Sequence, residues 1–251
     1  MIEVKNISKT FGDVQILHDV SFSFERGKTN LIIGQSGSGK SVLTKCIVGL
    51  HKPEKGQILF DGRDMVSISD KEKKNVRKEI GMLFQGSALF DSKTVLENVM
   101  FPLRMFTKMS KSEMQDRANF CLERVDILNK NNLFPSEISG GMQKRVAIAR
   151  AIAMKPKYLF CDEPNSGLDP RTSILIDALI SDLTEEYQMT TVVITHDMNS
   201  VLEIGDNIMF IYKGHKHWSG NKETIITTDN EEVTNFVYCS KFMRMYKDKL
   251  M

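Results

Sequence analysis

A glycine-rich segment that ends in a lysine and a serine carries the residue types that point most directly to chemistry. It follows the apolar residues 31–33 and precedes a predicted helix over residues 41–50. Glycines allow backbone N–H groups to converge on a di- or triphosphate, a lysine brings a cation to the β- and γ-phosphates, and a serine hydroxyl can coordinate Mg²⁺. The helix N-terminus favours the same negative charge. The residues predicted to bind a Mg–nucleoside triphosphate are Gly34, Ser36, Gly37, Ser38, Gly39, Lys40 and Ser41.

Polar side chains stand at the ends of three other predicted strands. Asp162 and Glu163 follow an apolar strand, and ligand crevices in parallel sheets lie beyond the carboxyl ends of the strands. Asp162 can hold Mg²⁺ there, and Glu163 can stand beside the γ-phosphate. His196 ends another strand and is a candidate for a γ-phosphate contact, while the amide of Gln85 could reach a metal or a water. A solvated turn is the competing interpretation for the acid pair, and a surface or satisfied core residue is the competing interpretation for His196. Gln85 taken alone is weak evidence.

A second glycine pair opens another predicted helix, about a hundred residues after the first loop. Ser139 is a suitable N-cap, and Gly140 and Gly141 expose further backbone N–H groups, so this helix start is a second anion-binding site. A chain with one triphosphate loop and a separate phosphate-binding helix start suggests that two copies meet head to tail. We therefore expect a homodimer in which each copy completes the other's site.

Composition excludes several classes of protein. The 251 residues suffice for one large α/β domain or two small ones, and a formal charge of +2 gives no basic field that would indicate nucleic acid. The four cysteines are far apart and form no C-x-x-C pair, which argues against a zinc site or a disulfide framework and fits a reducing cytosol. The first residues do not resemble a signal peptide, and no apolar run could span a bilayer. Any membrane role is expected to act through a partner.

Hydrophobic periodicity predicts an α/β chain in three parts. Residues 2–24 read as an antiparallel hairpin that turns at Gly12-Asp13, residues 86–150 as a helical insert, and the residues beyond 156 as parallel βαβ units. The other predicted strands cover residues 57–60, 80–84, 157–161, 190–195 and 207–212. The predicted helices cover residues 41–50, 69–77, 94–100, 110–126, 139–154, 170–187 and 198–204. A C-terminal amphipathic helix is predicted from Val233, Phe236, Val237, Phe242, Met243 and Tyr246.

These motifs, in this order, make the chain resemble an ATP-binding cassette (ABC) ATPase from about residue 3 to residue 217. The resemblance implies ATP and Mg²⁺ as ligands. It makes Phe11 the aromatic that stacks on the base, Gln85 the Q-loop glutamine that senses the metal, Glu163 the catalytic base and His196 the switch histidine. The remaining motifs that it implies are the Walker A loop at residues 34–41, the signature at 139–141, the Walker B acids at 162–163 and the D-loop at 166–169.

Within that family the chain is most similar to the ATPase subunit of the phospholipid transporters that maintain outer-membrane lipid asymmetry with MCE-domain proteins. This likeness rests on residues 84–92, 97–99, 139–142 and 162–170. Asn165 departs from the threonine common in that group. The signature departs from L-S-G-G-Q at Ile138 and Met142, and the missing glutamine removes a polar contact with the neighbour's nucleotide but not the backbone site.

The resemblance implies a P-loop NTPase fold with a RecA-like core, an N-terminal antiparallel β part and an inserted helical subdomain. The ABC ATPase domain is expected over residues 2–236, with the helical subdomain at about 86–150 and a C-terminal tail over 237–251. The expected complex is a homodimer at the cytoplasmic face of the inner membrane, bound to an integral membrane permease and an MCE-domain lipid-binding protein. Residues 86–90 and 100–103 are expected to form the groove for the permease's coupling helix, with core packing as the rival explanation.

The sequence leaves other classes of ABC ATPase as alternatives to a phospholipid transporter. A regulatory ABC ATPase could couple to a membrane partner in cell-wall remodelling, and an importer ATPase could serve another small substrate. An ATPase of DNA repair would need a long coiled coil between Walker A and the signature, and a ribosomal one usually has two cassettes in tandem. Neither feature occurs in these 251 residues, so no nucleic-acid partner is expected.

Overall fold

The computed structural model describes residues 1–239. Its strands are β1 (Ile2–Phe11), β2 (Val14–Phe24), β3 (Thr29–Ile33), β4 (Lys55–Phe60), β5 (Arg63–Asp64), β6 (Ile80–Leu83), β7 (Tyr158–Asp162), β8 (Thr190–Ile194), β9 (Asn207–Tyr212) and β10 (His215–Gly220). Its α-helices are α1 (Lys40–Ile47), α2 (Asp70–Lys78), α3 (Val95–Phe106), α4 (Lys111–Arg124), α5 (Gly140–Ile152), α6 (Pro170–Tyr187), α7 (Met198–Ile204) and α8 (Glu231–Val237).

The strand before the glycine-rich loop, β3, lies inside a six-stranded sheet of order β10-β9-β3-β8-β7-β6. Strands β9, β3, β8, β7 and β6 pair in parallel, and β10 pairs with β9 in the antiparallel sense. Every residue of β3 and β8 is buried, as parallel strands covered on both faces require. Because the strands are parallel, the carboxyl ends of β3, β6, β7 and β8 meet along one edge of the sheet.

The N-terminal residues form a four-stranded antiparallel sheet of order β2-β1-β4-β5. The predicted hairpin is confirmed, and its turn includes Gly12 with a φ of 56°, a left-handed conformation that suits glycine. This sheet, α1 and one face of the parallel sheet share a core, to which Ile7, Leu43 and Ile32 each contribute a fully buried side chain. The core therefore holds the start of α1, and with it the glycine-rich loop, against both sheets.

Helices α3, α4 and α5 pack against one another and form the helical part expected between residues 86 and 150. Helix α3 runs to Phe106, although the prediction ended it at residue 100, just before Pro102. The proline removes one backbone hydrogen bond, but Val99 and Leu103 are buried in the core on either side of it. Packing therefore keeps the chain helical through the proline, and Thr107 closes the helix by bonding to the Leu103 carbonyl.

The C-terminal part differs from the prediction in two respects. Strand β10 was not predicted, because its sequence H-K-H-W-S-G lacks an apolar alternation. The predicted boundary between domain and tail, after residue 236, falls inside α8. This short helix buries Val233 and Val237 in the main core and places Phe236 beside Phe210, with ring centroids 5.3 Å apart. The predicted apolar positions Phe242, Met243 and Tyr246 lie outside the described residues.

Candidate active site

The glycine-rich loop has a backbone that only glycine tolerates at two points. Gly34 has a φ of 143°, and a Cβ there would lie 2.2 Å from the carbonyl oxygen of Ile211. Gly39 has a φ of 108°, and a Cβ there would lie 2.9 Å from Leu17 Cδ2. Without a side chain at these two positions, the loop backbone can lie close to Ile211 and Leu17, where a Cβ would clash. The hydroxyl of Ser38 is buried and has no hydrogen-bond partner among residues 1–239, so the loop retains a polar group for a ligand.

Lys40 is already folded into this loop. Its side chain is buried, and its Nζ donates to the carbonyl oxygens of Gly34 at 2.8 Å and Gln35 at 2.9 Å. Burial lowers the pKa of the lysine, whereas the negative charges of Glu163 and Asp162 oppose that change. The ammonium group is thus held within the loop and near two carboxylates, where an anionic ligand with a bound cation would fit.

Asp162 ends β7 and Glu163 follows it, and His196 lies two residues after the end of the neighbouring strand β8. Glu163 Oε1 and His196 Nδ1 lie 2.8 Å apart, and the backbone N–H of Glu163 donates to the carbonyl of Ile194 at 2.9 Å. Burial and the nearby charge of Glu163 raise the pKa of Asp162. A bound cation would relieve that repulsion, which makes Asp162 a suitable residue to face a metal ion.

One cleft of about 840 Å³ brings most of the predicted residues together. This volume suits a nucleotide with its metal ion. The predicted residues that line it are Gln85, Asp162, Glu163 and His196 together with Ser36, Gly37, Gly39, Lys40 and Ser41. Gly34 and Ser38 belong to the same loop, but they are buried and do not line the cleft. The cleft is also lined by Ile16, Asn235, Phe236 and Cys239, none of which the sequence analysis placed there.

Gln85 is tied to the signature helix by a contact that the sequence did not reveal. Lys144 on α5 is buried, and its Nζ donates to the backbone oxygen of Gln85. Burial lowers the pKa of Lys144, while the charges of Cys161, Asp162 and Glu163 act in the opposite direction. In the sequence, the only signal for this contact was the position of Lys144 in α5, a helix whose other buried residues are apolar.

The predicted second anion site lies in a different cleft, of about 480 Å³. Ser139 caps α5 as predicted, because its hydroxyl accepts from the backbone N–H of Met142 at 3.3 Å. The cleft combines the helix start at Ser139, Gly140 and Gly141 with residues 167–169 of the predicted D-loop. Among the described residues the two clefts share no lining residue, so one chain holds two half-sites that do not meet.

Phe11 is not among the residues that line the glycine-loop cleft. It ends β1 with 43% of its surface exposed, and its ring meets the edge of His51 at a centroid distance of 5.2 Å. Lys9 Nζ lies 4.9 Å from its centroid. The role of Phe11 in stacking on a base stays a prediction.

A third cleft, the apolar groove, lies beside the loop that follows Gln85. Two arginine contacts hold this loop, since Arg150 donates to the carbonyls of Ser87 and Ala88 at 2.7 Å each. The groove is lined by Phe84, Ala88, Phe90, Phe101, Pro102 and Phe106, with Lys74, Arg77, Lys78 and Arg150 among the rest. The expectation was wrong for Met100 and Leu103, which are buried in the main core and do not line the groove.

The comparisons with known proteins agree with this geometry. A family model described as "ABC transporter" matches residues 17–166. The probable ribonucleotide transport ATP-binding protein mkl of Mycobacterium leprae is 39% identical over 236 residues, covering 94% of this chain and 68% of that protein. The methionine import ATP-binding protein MetN of Clostridioides difficile is 38% identical over 237 residues, covering 94% of this chain and 74% of that protein.

Among solved structures, a dimeric ATP-binding cassette in a post-hydrolysis state, bound to ADP and Pi, superposes with a TM-score of 0.80. It is 34% identical, and the match covers 88% of this chain and 99% of that one. The predicted P-loop NTPase fold, a mixed α/β architecture with an added antiparallel sheet, is confirmed.

Proposed function

The chain belongs to the ABC transporter family and is an ATPase, and from this premise we propose that it powers phospholipid transport through a membrane permease. The observation that carries the catalytic part is the pair Glu163 and His196, 2.8 Å apart in the cleft that also holds Lys40. The part that concerns phospholipid rests on the subgroup motifs at residues 84–92 and 139–142.

Different residues of the cleft would bind the phosphates and activate the attacking water. Lys40 and the loop amides would bind the phosphates, with Lys40 Nζ exchanging two carbonyl partners for phosphate oxygens. Glu163 would orient the attacking water and take its proton, and His196 would hold Glu163 and contact the γ-phosphate.

Mg²⁺, when bound, neutralises charge that develops on the phosphates. Ser41, Gln85 and Asp162 line the same cleft and would hold it. Among residues 1–239 there is no group of three His, Cys, Asp or Glu that could hold a metal. Phosphate oxygens and waters would supply its remaining ligands, as is usual for Mg²⁺.

The separation of the two half-sites supports the proposed homodimer. The signature at Ser139–Gly141 cannot serve the glycine loop of its own chain, because the two line different clefts. A second copy placed head to tail would bring its α5 N-terminus to the phosphates bound by Lys40. The dimeric cassette bound to ADP and Pi supports this arrangement by similarity.

The permease would dock in the apolar groove. Phe84 and Phe90 are 43% and 39% exposed, and Phe90 packs against Phe101 at a centroid distance of 4.5 Å. No helix among the described residues is long and apolar enough to cross a membrane. A partner helix with apolar residues on one face would bury these aromatics and place the chain at the cytoplasmic face of the inner membrane.

The substrate is tested on the purified complex of this chain with its permease and MCE-domain protein, reconstituted in lipid nanodiscs. We expect ATP hydrolysis to respond to the phospholipid composition, and the Glu163→Gln complex to hydrolyse little in any lipid. A complex that responds instead to methionine, a ribonucleotide or a metal ion would replace the phospholipid by that substrate. A complex that responds only to a cell-wall regulatory protein would favour the regulatory ATPase.

A further inference from the structure

A buried polar cluster lies behind the catalytic pair and has no part in the mechanism above. It consists of Asn165, Asp177 and Ser200, which we call the buried clamp. Asn165 Nδ2 donates to Ser200 Oγ at 3.0 Å. Asp177 is 2% exposed and Ser200 fully buried, and Ser200 and Asn165 lie near enough to the Asp177 carboxylate to lower its pKa.

The three residues come from three elements that surround the catalytic edge. Asn165 lies two residues after Glu163, in the turn between β7 and α6. Ser200 lies four residues after His196, on α7, and Asp177 lies on α6, which packs against α7. The clamp therefore joins the turn that carries Glu163 to the helix that follows His196.

Burying the Asp177 carboxylate at this position costs free energy of folding. Its neighbours are the acidic groups Asp197 and Glu203 around α7 and the thiol of Cys161 on β7, and among residues 1–239 no cation pairs with it. Burial raises its pKa to about 6, against the opposing influence of Ser200 and Asn165. Replacing a buried charge by an apolar residue often stabilises a protein, so folding alone gives little reason for this carboxylate.

We propose that Asp177 is a positioning residue for ATP hydrolysis, which through Ser200 and Asn165 sets the distance between the Glu163 turn and the His196 helix. The inference rests on the proposed roles of Glu163 and His196. The oxygens Asn165 Oδ1 and Asp177 Oδ1 have no hydrogen-bond partner among the described residues, so the clamp has spare acceptors. It can exchange hydrogen bonds as the turn moves, which a fully satisfied structural network could not do as easily.

The clamp acts on geometry and not on nucleotide binding. Lys40 and the loop amides do not touch it, so the KM for ATP should not depend on it. A displacement of the base by about 1 Å can cost up to about 100-fold in rate. Loss of Asp177 should therefore lower kcat and leave KM nearly unchanged.

The test compares three variants of the clamp with the wild type, each in the full chain, in ATPase assays and thermal unfolding. Asp177→Leu should keep or raise the melting temperature and the KM should change less than about 2-fold, while kcat falls about 10-fold or more. Asp177→Asn preserves an acceptor for Ser200 and should keep kcat within about 3-fold. Ser200→Ala should lower kcat in the same way as Asp177→Leu, in case the leucine is not tolerated.

Thr184→Val is the matched control, because Thr184 is another buried polar residue on α6 and bonds Thr191 and Ile180, away from the clamp. Its kcat should equal that of the wild type. The inference is overturned if Asp177→Leu and Ser200→Ala keep the wild-type kcat, or if they lose it only together with folding and ATP binding. Glu163→Gln, assayed in parallel, separates the two proposals: if that variant stays active, the role given to Glu163 is wrong, whatever the clamp does.

Discussion

His196 Nδ1 lies 2.8 Å from Glu163 Oε1, although 33 residues separate them in the chain. The contact exists because β7 and β8 are adjacent and parallel, with Asp162 opposite Ile194. The contact directs the carboxylate toward the imidazole, which would help the proposed base to meet a water in a defined orientation. The side chain of Glu163 is mostly buried and that of His196 is largely exposed, so the pair reaches from the sheet edge to the open cleft.

Glu163→Gln should bind ATP but lose most of its turnover, by about 10² to 10⁴-fold, because the amide keeps the shape and cannot take a proton. Without hydrolysis the ATP-bound dimer should accumulate. A phosphate-release assay measures the first effect, and gel filtration with Mg–ATP measures the second. Glu185→Gln, an exposed change on α6, is the control. A monomeric, inactive variant would contradict the head-to-tail dimer, and near wild-type turnover would contradict the base.

Lys40→Ala should weaken ATP binding by about 100-fold or more, because two charge-assisted hydrogen bonds to phosphate are lost. Isothermal titration with ATP measures the change. Lys55→Ala removes the same charge from an exposed position on β4 and should bind ATP as the wild type does. Equal affinities for the two variants would show that the backbone amides alone hold the phosphates.

Phe90→Glu should prevent the chain from co-purifying with its permease while its melting temperature stays close to that of the wild type. Phe90 is exposed in the apolar groove, whereas the adjacent Leu89 packs against the core. Leu89→Glu should therefore lower the melting temperature instead. Phe120→Glu, which alters an exposed aromatic on α4, is the control for added charge. Retained co-purification of Phe90→Glu would place the docking surface elsewhere.

The stability of the chain should depend on pH through Asp177. Its pKa rises from 3.8 to about 6 on folding, so between these values the folded state binds more protons than the unfolded state. The wild type should therefore gain stability relative to Asp177→Asn as the pH falls from 7.5 to 5, by about 1 kcal/mol. Denaturant unfolding at both pH values measures it. The difference in unfolding free energy between the wild type and Thr184→Val should not change with pH, because Thr184 does not titrate. If the difference for Asp177→Asn is also independent of pH, burial does not raise the pKa of Asp177.

The cleft could be predicted because its parts follow a local rule. Asp162 ends a strand, Gln85 and His196 each lie two residues beyond the end of one, and parallel strands bring such ends to one edge. The glycine-rich loop needs glycine at particular positions, such as Gly34, where a Cβ would clash, and these glycines are visible in the sequence. Residue type and position were therefore sufficient.

The features that were missed depend on packing between distant segments. Phe236 reaches the cleft because α8 docks beside Phe210, and nothing in residues 231–237 encodes that partner. Helix α3 continues past Pro102 because the core around Val99 and Leu103 outweighs a local preference. Asp177 reads as an ordinary polar residue of an amphipathic helix until Ser200 is placed beside it.

The backbone at Glu163 has a φ of 47°, a left-handed conformation that costs a side chain such as glutamate about 1 kcal/mol and costs glycine almost nothing. Folding therefore opposes the residue that is proposed as the catalytic base. Glycine or asparagine at this position would relieve the backbone cost but would remove the carboxylate, so the turn after β7 gives up stability in order to present this side chain.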